Sequence, residues 1–91
     1  MKEQLLDKKF KALANENRRT ILLYLKSGKK CTGEIAKQFS ISAPSVSNHL
    51  AILKDSHLIS AVNLKGFIYY ELRLEELDEI IQWLYEMSNR K

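Results

Sequence analysis

The chain has one cysteine, one proline, three glycines and two histidines among 91 residues, and each scarcity removes a class of protein. Cys31 alone cannot close an intrachain disulfide, which fits a reducing compartment and an expected cytoplasmic location. His49 and His57 are the only imidazoles. The usual four nitrogen or sulfur ligands of a zinc site therefore cannot be assembled locally, and no metal or other cofactor is expected. No glycine-rich loop could cradle a phosphate, and no nucleophile is paired with a base, so an enzyme is not expected. The longest apolar stretches, Ile21 to Leu25 and Leu58 to Leu64, fall short of the roughly 18 residues that cross a bilayer, so membrane insertion is not expected. Met1-Lys2-Glu3-Gln4-Leu5 also lacks the apolar segment of a secretory signal.

What is present is ordinary globular material, 45% hydrophobic and 29% charged. The length suits a single domain, residues 1–91, whose modest core is extended by a second copy of the chain. The net charge of +4 is unevenly spread. Residues 1–70 carry twelve Lys and Arg against five Asp and Glu, and residues 71–91 carry three against six. A basic body with an acidic tail points to one surface that meets polyanions and another that does not.

Apolar periodicity predicts five helices and one hairpin. The first helix spans about Glu3 to Ala14. Asn15 caps a second, Glu16 to about Lys26, which Ser27-Gly28 ends. Thr32 caps a short third helix with Ile35, Ala36 and Phe39 inward, and Ser42 caps a fourth with Pro44 in its first turn. In that fourth helix Val46, Leu50 and Leu53 face inward, while Ala43, Ser45, Ser47, Asn48 and Lys54 face outward. No charge lies between Ala43 and Ala51. Short hydrogen-bonding side chains near a helix start suit entry into the major groove of duplex DNA, and two short helices joined by a tight turn form a helix-turn-helix.

After His57 the period becomes alternating. Leu58 to Leu64 and Phe67 to Leu72 read as two strands joined by Lys65-Gly66, a wing whose tip lysine can meet phosphates or the minor groove. The predicted class is therefore mainly α with a β-hairpin, a winged helix-turn-helix with a two-stranded wing. The expected DNA-contacting residues are Ser42, Ala43, Ser45, Ser47, Asn48, His49, Lys54 and Lys65. Arg18 and Arg19 either join them on phosphates or pair with Glu16 and other acids. The last helix, about Glu75 to Ser88, carries two apolar stripes: Leu77, Ile81 and Leu84, and Ile80, Trp83 and Met87. With Leu5, Leu6 and Phe10 they are expected to form a homodimer interface.

Several of these segments resemble one family, in order and over nearly the whole chain. Phe10-Lys11-Ala12-Leu13-Ala14-Asn15-Glu16-Asn17-Arg18-Arg19-Thr20-Ile21-Leu22, then Gly33-Glu34-Ile35-Ala36, Ile41 to Lys54, and Lys65 to Leu72 resemble the ArsR/SmtB repressors. The wing and Ile81-Gln82-Trp83-Leu84 are most similar to the sporulation-delay autorepressor subgroup. The resemblance implies a homodimer that represses its own operon from an inverted-repeat operator and is released by a partner, a membrane or signalling protein. Two departures stand out. Glu16 occupies the place of a usual proline, and the Cys-x-Cys pair of metal sensors is reduced to Cys31 followed by Gly33. Residues 74–91 contain no histidine, so metal sensing is not expected. Cys31 is read as a packing residue, with a thiol-responsive repressor as the alternative. A second alternative is a protein-interaction module of the same fold, using the acidic last helix with Trp83 and Tyr85.

Overall fold

The computed structural model describes residues 2–89, with side chains from Gln4 onward, so Met1, Arg90 and Lys91 of the expected 1–91 domain lie outside the described residues. Helix α1 (Lys2–Leu13) and α2 (Glu16–Leu25) are followed by strand β1 (Lys30–Cys31) and α3 (Thr32–Gln38). Then come α4 (Ala43–Asp55), β2 (Ile59–Leu64), β3 (Phe67–Leu72) and α5 (Leu74–Ser88).

Five helices appear as expected, but the sheet has three strands in the order β1-β3-β2 rather than two. The extra strand pairs Lys30 with Tyr70 and Cys31 with Tyr69. Two residues are too few to show an alternating pattern, so periodicity could not find it. The cap of α3 moves accordingly, from the expected Thr32 to Cys31, whose backbone N–H donates to Glu34 Oε1 at 2.9 Å. That bond holds the Glu34 carboxyl below its ordinary pKa.

The core sits where α2, α3 and α4 meet the base of the sheet. Ile21, Leu25, Ile35, Val46, Leu50, Leu53, Leu58 and Ile59 are all buried. Ala12 from α1 and Ile80 from α5 close it. Helix α4 ends in a Schellman arrangement: Leu58 N–H donates to Leu53 O at 3.2 Å and His57 N–H to Lys54 O at 3.0 Å. This requires His57 at φ +68°, a left-handed conformation that glycine adopts more cheaply.

Among the described residues one charged side chain lies inside. Lys9 is 1% exposed, and its Nζ donates at 2.8 Å to both Glu76 O and Glu79 Oε1, with Glu76 Oε1 at 3.1 Å. Burial opposes the ammonium, but the bonds and charges of Glu79 and Glu76 outweigh it and leave its pKa raised. Lys9 thereby fastens α1 to the first turns of α5.

Two outcomes follow for stability. Lys9→Ala is expected to cost about 2–3 kcal/mol in urea unfolding and Lys9→Met less, because methionine refills the stem's volume. The Lys9 contribution is present below its unfolded pKa near 10.5 and lost as pH rises through the folded value. His57→Gly is expected to stabilise by about 0.5–1 kcal/mol, read in the same assay.

Candidate nucleic-acid interface

The turn from α3 into α4 is Phe39 to Ser42. Phe39 packs edge-on against Tyr24 at 5.8 Å, and Ile41 rests on the core, so the turn is fixed by its apolar residues. Ser42 then starts α4: its Oγ accepts from Ser45 N–H at 3.2 Å and lies 2.9 Å from Ser45 Oγ. Pro44 occupies the first turn, where its missing N–H costs nothing.

Because Val46, Leu50 and Leu53 all point inward, α4 leaves one broad face in solvent. Ser42, Ala43, Ser45, Ser47, Asn48 and Lys54 are all exposed, the first five within the opening turns of the helix and Lys54 in its last turn. Ser47, Asn48 and Lys54 make no side-chain bond within the described protein, whereas Ser45 is partly engaged by Ser42.

Beyond α4 the β2–β3 hairpin projects. Its turn has Lys65 at φ +54° and Gly66 at φ +86°, the pair of left-handed residues that a two-residue hairpin turn demands. Asn63 Oδ1 accepts from Gly66 N–H at 3.0 Å and braces the tip. Lys65 is exposed there. The strands alternate as expected only near their base. Tyr70 and Leu72 pack on the core, but Ile68 is 44% exposed because the hairpin has left the body by that point. Its outer face pairs Leu64 with Phe67 and Val62 with Tyr69, an apolar strip that the sequence reading had not singled out.

Arg18 and Arg19 do not pair with Glu16. Arg18 donates through Nε to Ala12 O at 2.7 Å and through Nη2 to Lys11 O at 2.9 Å, and Arg19 Nη1 donates to Leu13 O at 2.7 Å. The reason is local: the last carbonyls of α1 have no helical partners, and α2 begins directly beneath them. Arg18 Nη1 also stands 3.4 Å from His49 Nδ1 on α4. His49 is half-buried, and burial together with the Arg18 charge holds its pKa below 6.5, so it is neutral and accepts from the guanidinium. Arg18 therefore acts first as a clamp joining α1, α2 and α4.

The apolar residues expected to pair two chains are divided. Ile80 is buried within its own chain, which removes it from any intersubunit surface, and Leu6, Phe10 and Leu77 pack partly on the same core. Phe10 meets Trp83 edge-on at 5.5 Å. Leu5 is half-buried. Ile81, Leu84 and Met87 are 60%, 52% and 66% exposed, and Trp83 retains 40%. Periodicity showed two stripes, and the chain itself covers the first residue of each, Leu77 and Ile80, leaving the rest largely exposed.

Cys31 is half-buried with a free thiol. Among the described residues no three His, Cys, Asp or Glu side chains are grouped as a metal ion would require. No described helix is long and apolar enough to cross a membrane.

A family model described as bacterial regulatory protein, arsR family, matches residues 15–61. The chain is similar to the transcriptional repressor SdpR of Bacillus subtilis, 43% identical over 89% of this chain and 90% of that one. It is also 36% identical to the arsenical resistance operon repressor of the same organism, over 82% and 72% of the two chains. Among solved structures, an ArsR family transcriptional regulator superposes with a TM-score of 0.86 at 29% identity, covering 93% of this chain and 88% of its own. HlyU from Vibrio cholerae does so with a TM-score of 0.75 at 26% identity, over 96% and 95%.

The half-buried, neutral His49 predicts an acid dependence. Below 6.5 the unfolded chain binds a proton that the folded chain resists, so stability is fully present above 6.5 and is lost as pH falls through the folded pKa. Thermal unfolding of His49→Gln against the parent is expected to show a shallower fall across that window; identical slopes would remove His49 as the cause.

Proposed function

This chain belongs to the ArsR family of bacterial regulatory proteins and is a DNA-binding transcriptional repressor, and from that premise we propose that it grips an inverted-repeat operator as a homodimer without metal control. The observation that carries the reading is the exposed Ser and Asn face of α4, held open by a helix whose buried residues, Val46, Leu50 and Leu53, face the other way. Ser42, Ala43, Ser45, Ser47 and Asn48 approach base edges, Asn48 being able to bond bidentately to adenine. Lys54 and Lys65 meet phosphates and fix the register without reading sequence. Their cytoplasmic setting follows from the same activity.

Dimerisation is supported by the apolar residues α5 leaves uncovered, Ile81, Trp83, Leu84 and Met87, beside Leu5 and Phe10 of α1. A twofold pair would set two recognition helices about 34 Å apart, one turn of B-DNA. Freedom from metal control is supported by Cys31 standing alone and by the ungrouped carboxylates and imidazoles. Relief of repression then falls to a partner, a membrane or signalling protein; the similarity to SdpR supports the repressor reading on which this rests.

Gel shifts on the chain's own promoter test this directly, and a chelator should leave the shift unchanged. Affinity should fall with salt by about 0.9 log units per log salt for each phosphate neutralised. Asn48→Ala is expected to cost about 1–3 kcal/mol on the matched operator and to relax sequence preference, whereas Lys65→Ala weakens all duplexes alike. Leu84→Glu is expected to yield a monomer by sedimentation, with operator affinity down by at least tenfold. A dimer that persists in Leu84→Glu would move the interface elsewhere.

A further inference from the structure

A groove of about 380 Å³ lies between α2 and the start of α5, away from the α4 face. Six leucines from α1, α2, β3 and α5 line it, and two of them, Leu23 and Leu74, stand 67% and 62% exposed. The other lining residues are both cations, Arg19 and Lys26. Arg19, Leu23 and Lys26 follow one another at four- and three-residue spacing, which puts them on one side of α2 with the cations about 10 Å apart. No carboxylate lines the groove.

This composition is selective. A purely apolar occupant would leave two cations facing hydrocarbon, and a small inorganic anion would leave six leucines wet. A cationic amphiphile would meet like charge. The volume lies in the ~300–1,000 Å³ range of small-molecule sites, which are mostly apolar with a few placed polar groups. Arg19 spends one donor on Leu13 O, and a guanidinium has five.

We propose that this groove binds a medium-chain carboxylate of the fatty-acid type, its tail along the leucines and its head on Arg19 and Lys26. Resting on the repressor reading above, occupancy also has a route to DNA. A carboxylate at Arg19 competes with Leu13 O at the end of α1, where the adjacent Arg18 joins α1 to His49 of α4.

Calorimetry on the full chain in its native oligomeric state tests the site without DNA, so a failed repressor assignment would leave this result readable. Decanoate, kept below its micelle concentration, is expected to saturate at one per chain, and decyltrimethylammonium to give no saturable heat. Lys26→Gln, far from any core contact, should weaken decanoate about fivefold, the effect of one exposed charge. Leu23→Glu should abolish binding while leaving the oligomeric state and the DNA shift intact. Absence of saturable decanoate binding, or equal binding of the cationic amphiphile, overturns the site. Dissociation of the dimer by Leu23→Glu overturns it too, by making the groove a contact between copies. If saturating decanoate leaves the operator affinity of the parent unchanged, the route through Arg19 is wrong.

Discussion

Val46, Leu50 and Leu53 hold α4 from a single side, and the remainder of the fold is arranged around that constraint. A helix buried on two sides would have no face to offer a duplex, and one buried on none would not stay folded at this length. Three aliphatic side chains in a core of eleven buried apolar residues supply the anchorage. At about 1.5–3 kcal/mol for each fully buried aliphatic side chain, they are enough to fix the helix without covering its polar face.

Polar ties then set the positions of the other helices relative to α4. Arg18 occupies the end of α1, the start of α2 and the flank of α4 at once, through Lys11 O, Ala12 O and His49. Lys9 performs the same service between α1 and α5, using Glu76 and Glu79. Lys9 is a cation taken out of water among close oxygen partners, the condition under which such burial is tolerated, whereas Arg18 stays half-buried. Helix α1 is therefore connected by polar bonds to α4, the helix proposed to meet DNA, and to α5, which carries exposed apolar residues. Movement at one of these surfaces has a short polar path to the other.

Most of the architecture was legible because it is written in period and caps. Asn15 and Ser42 begin their helices as their side-chain chemistry dictates, and Lys65-Gly66 adopts the left-handed pair that its glycine suggested. What escaped reading was set by long-range contacts. β1 exists only because Tyr69 and Tyr70 offer it an edge. Arg18 and Arg19 read as surface charge until the α1 carbonyls are placed over them. Lys9 carried a signal that went unused, a lysine set between Leu5, Leu6, Ala12 and Leu13 on an otherwise apolar side of α1. Ile80 could not be told from Ile81 by spacing, since both stripes of α5 are apolar and only packing decides which one turns inward.

The hairpin leaves and rejoins the body at nearly one point: Arg73 N–H donates to Leu58 O at 2.9 Å, and Ile59 pairs with Leu72 just beyond. From Val62 to Ile68 the hairpin stands clear of the body, held by that clasp and by the pairing of Tyr69 and Tyr70 with β1. Insertions, deletions or exchanges of residues near its tip would leave the entry of α5 and the exit of α4 undisturbed. The hairpin is thus a cassette whose length and tip can be remodelled without moving either helix.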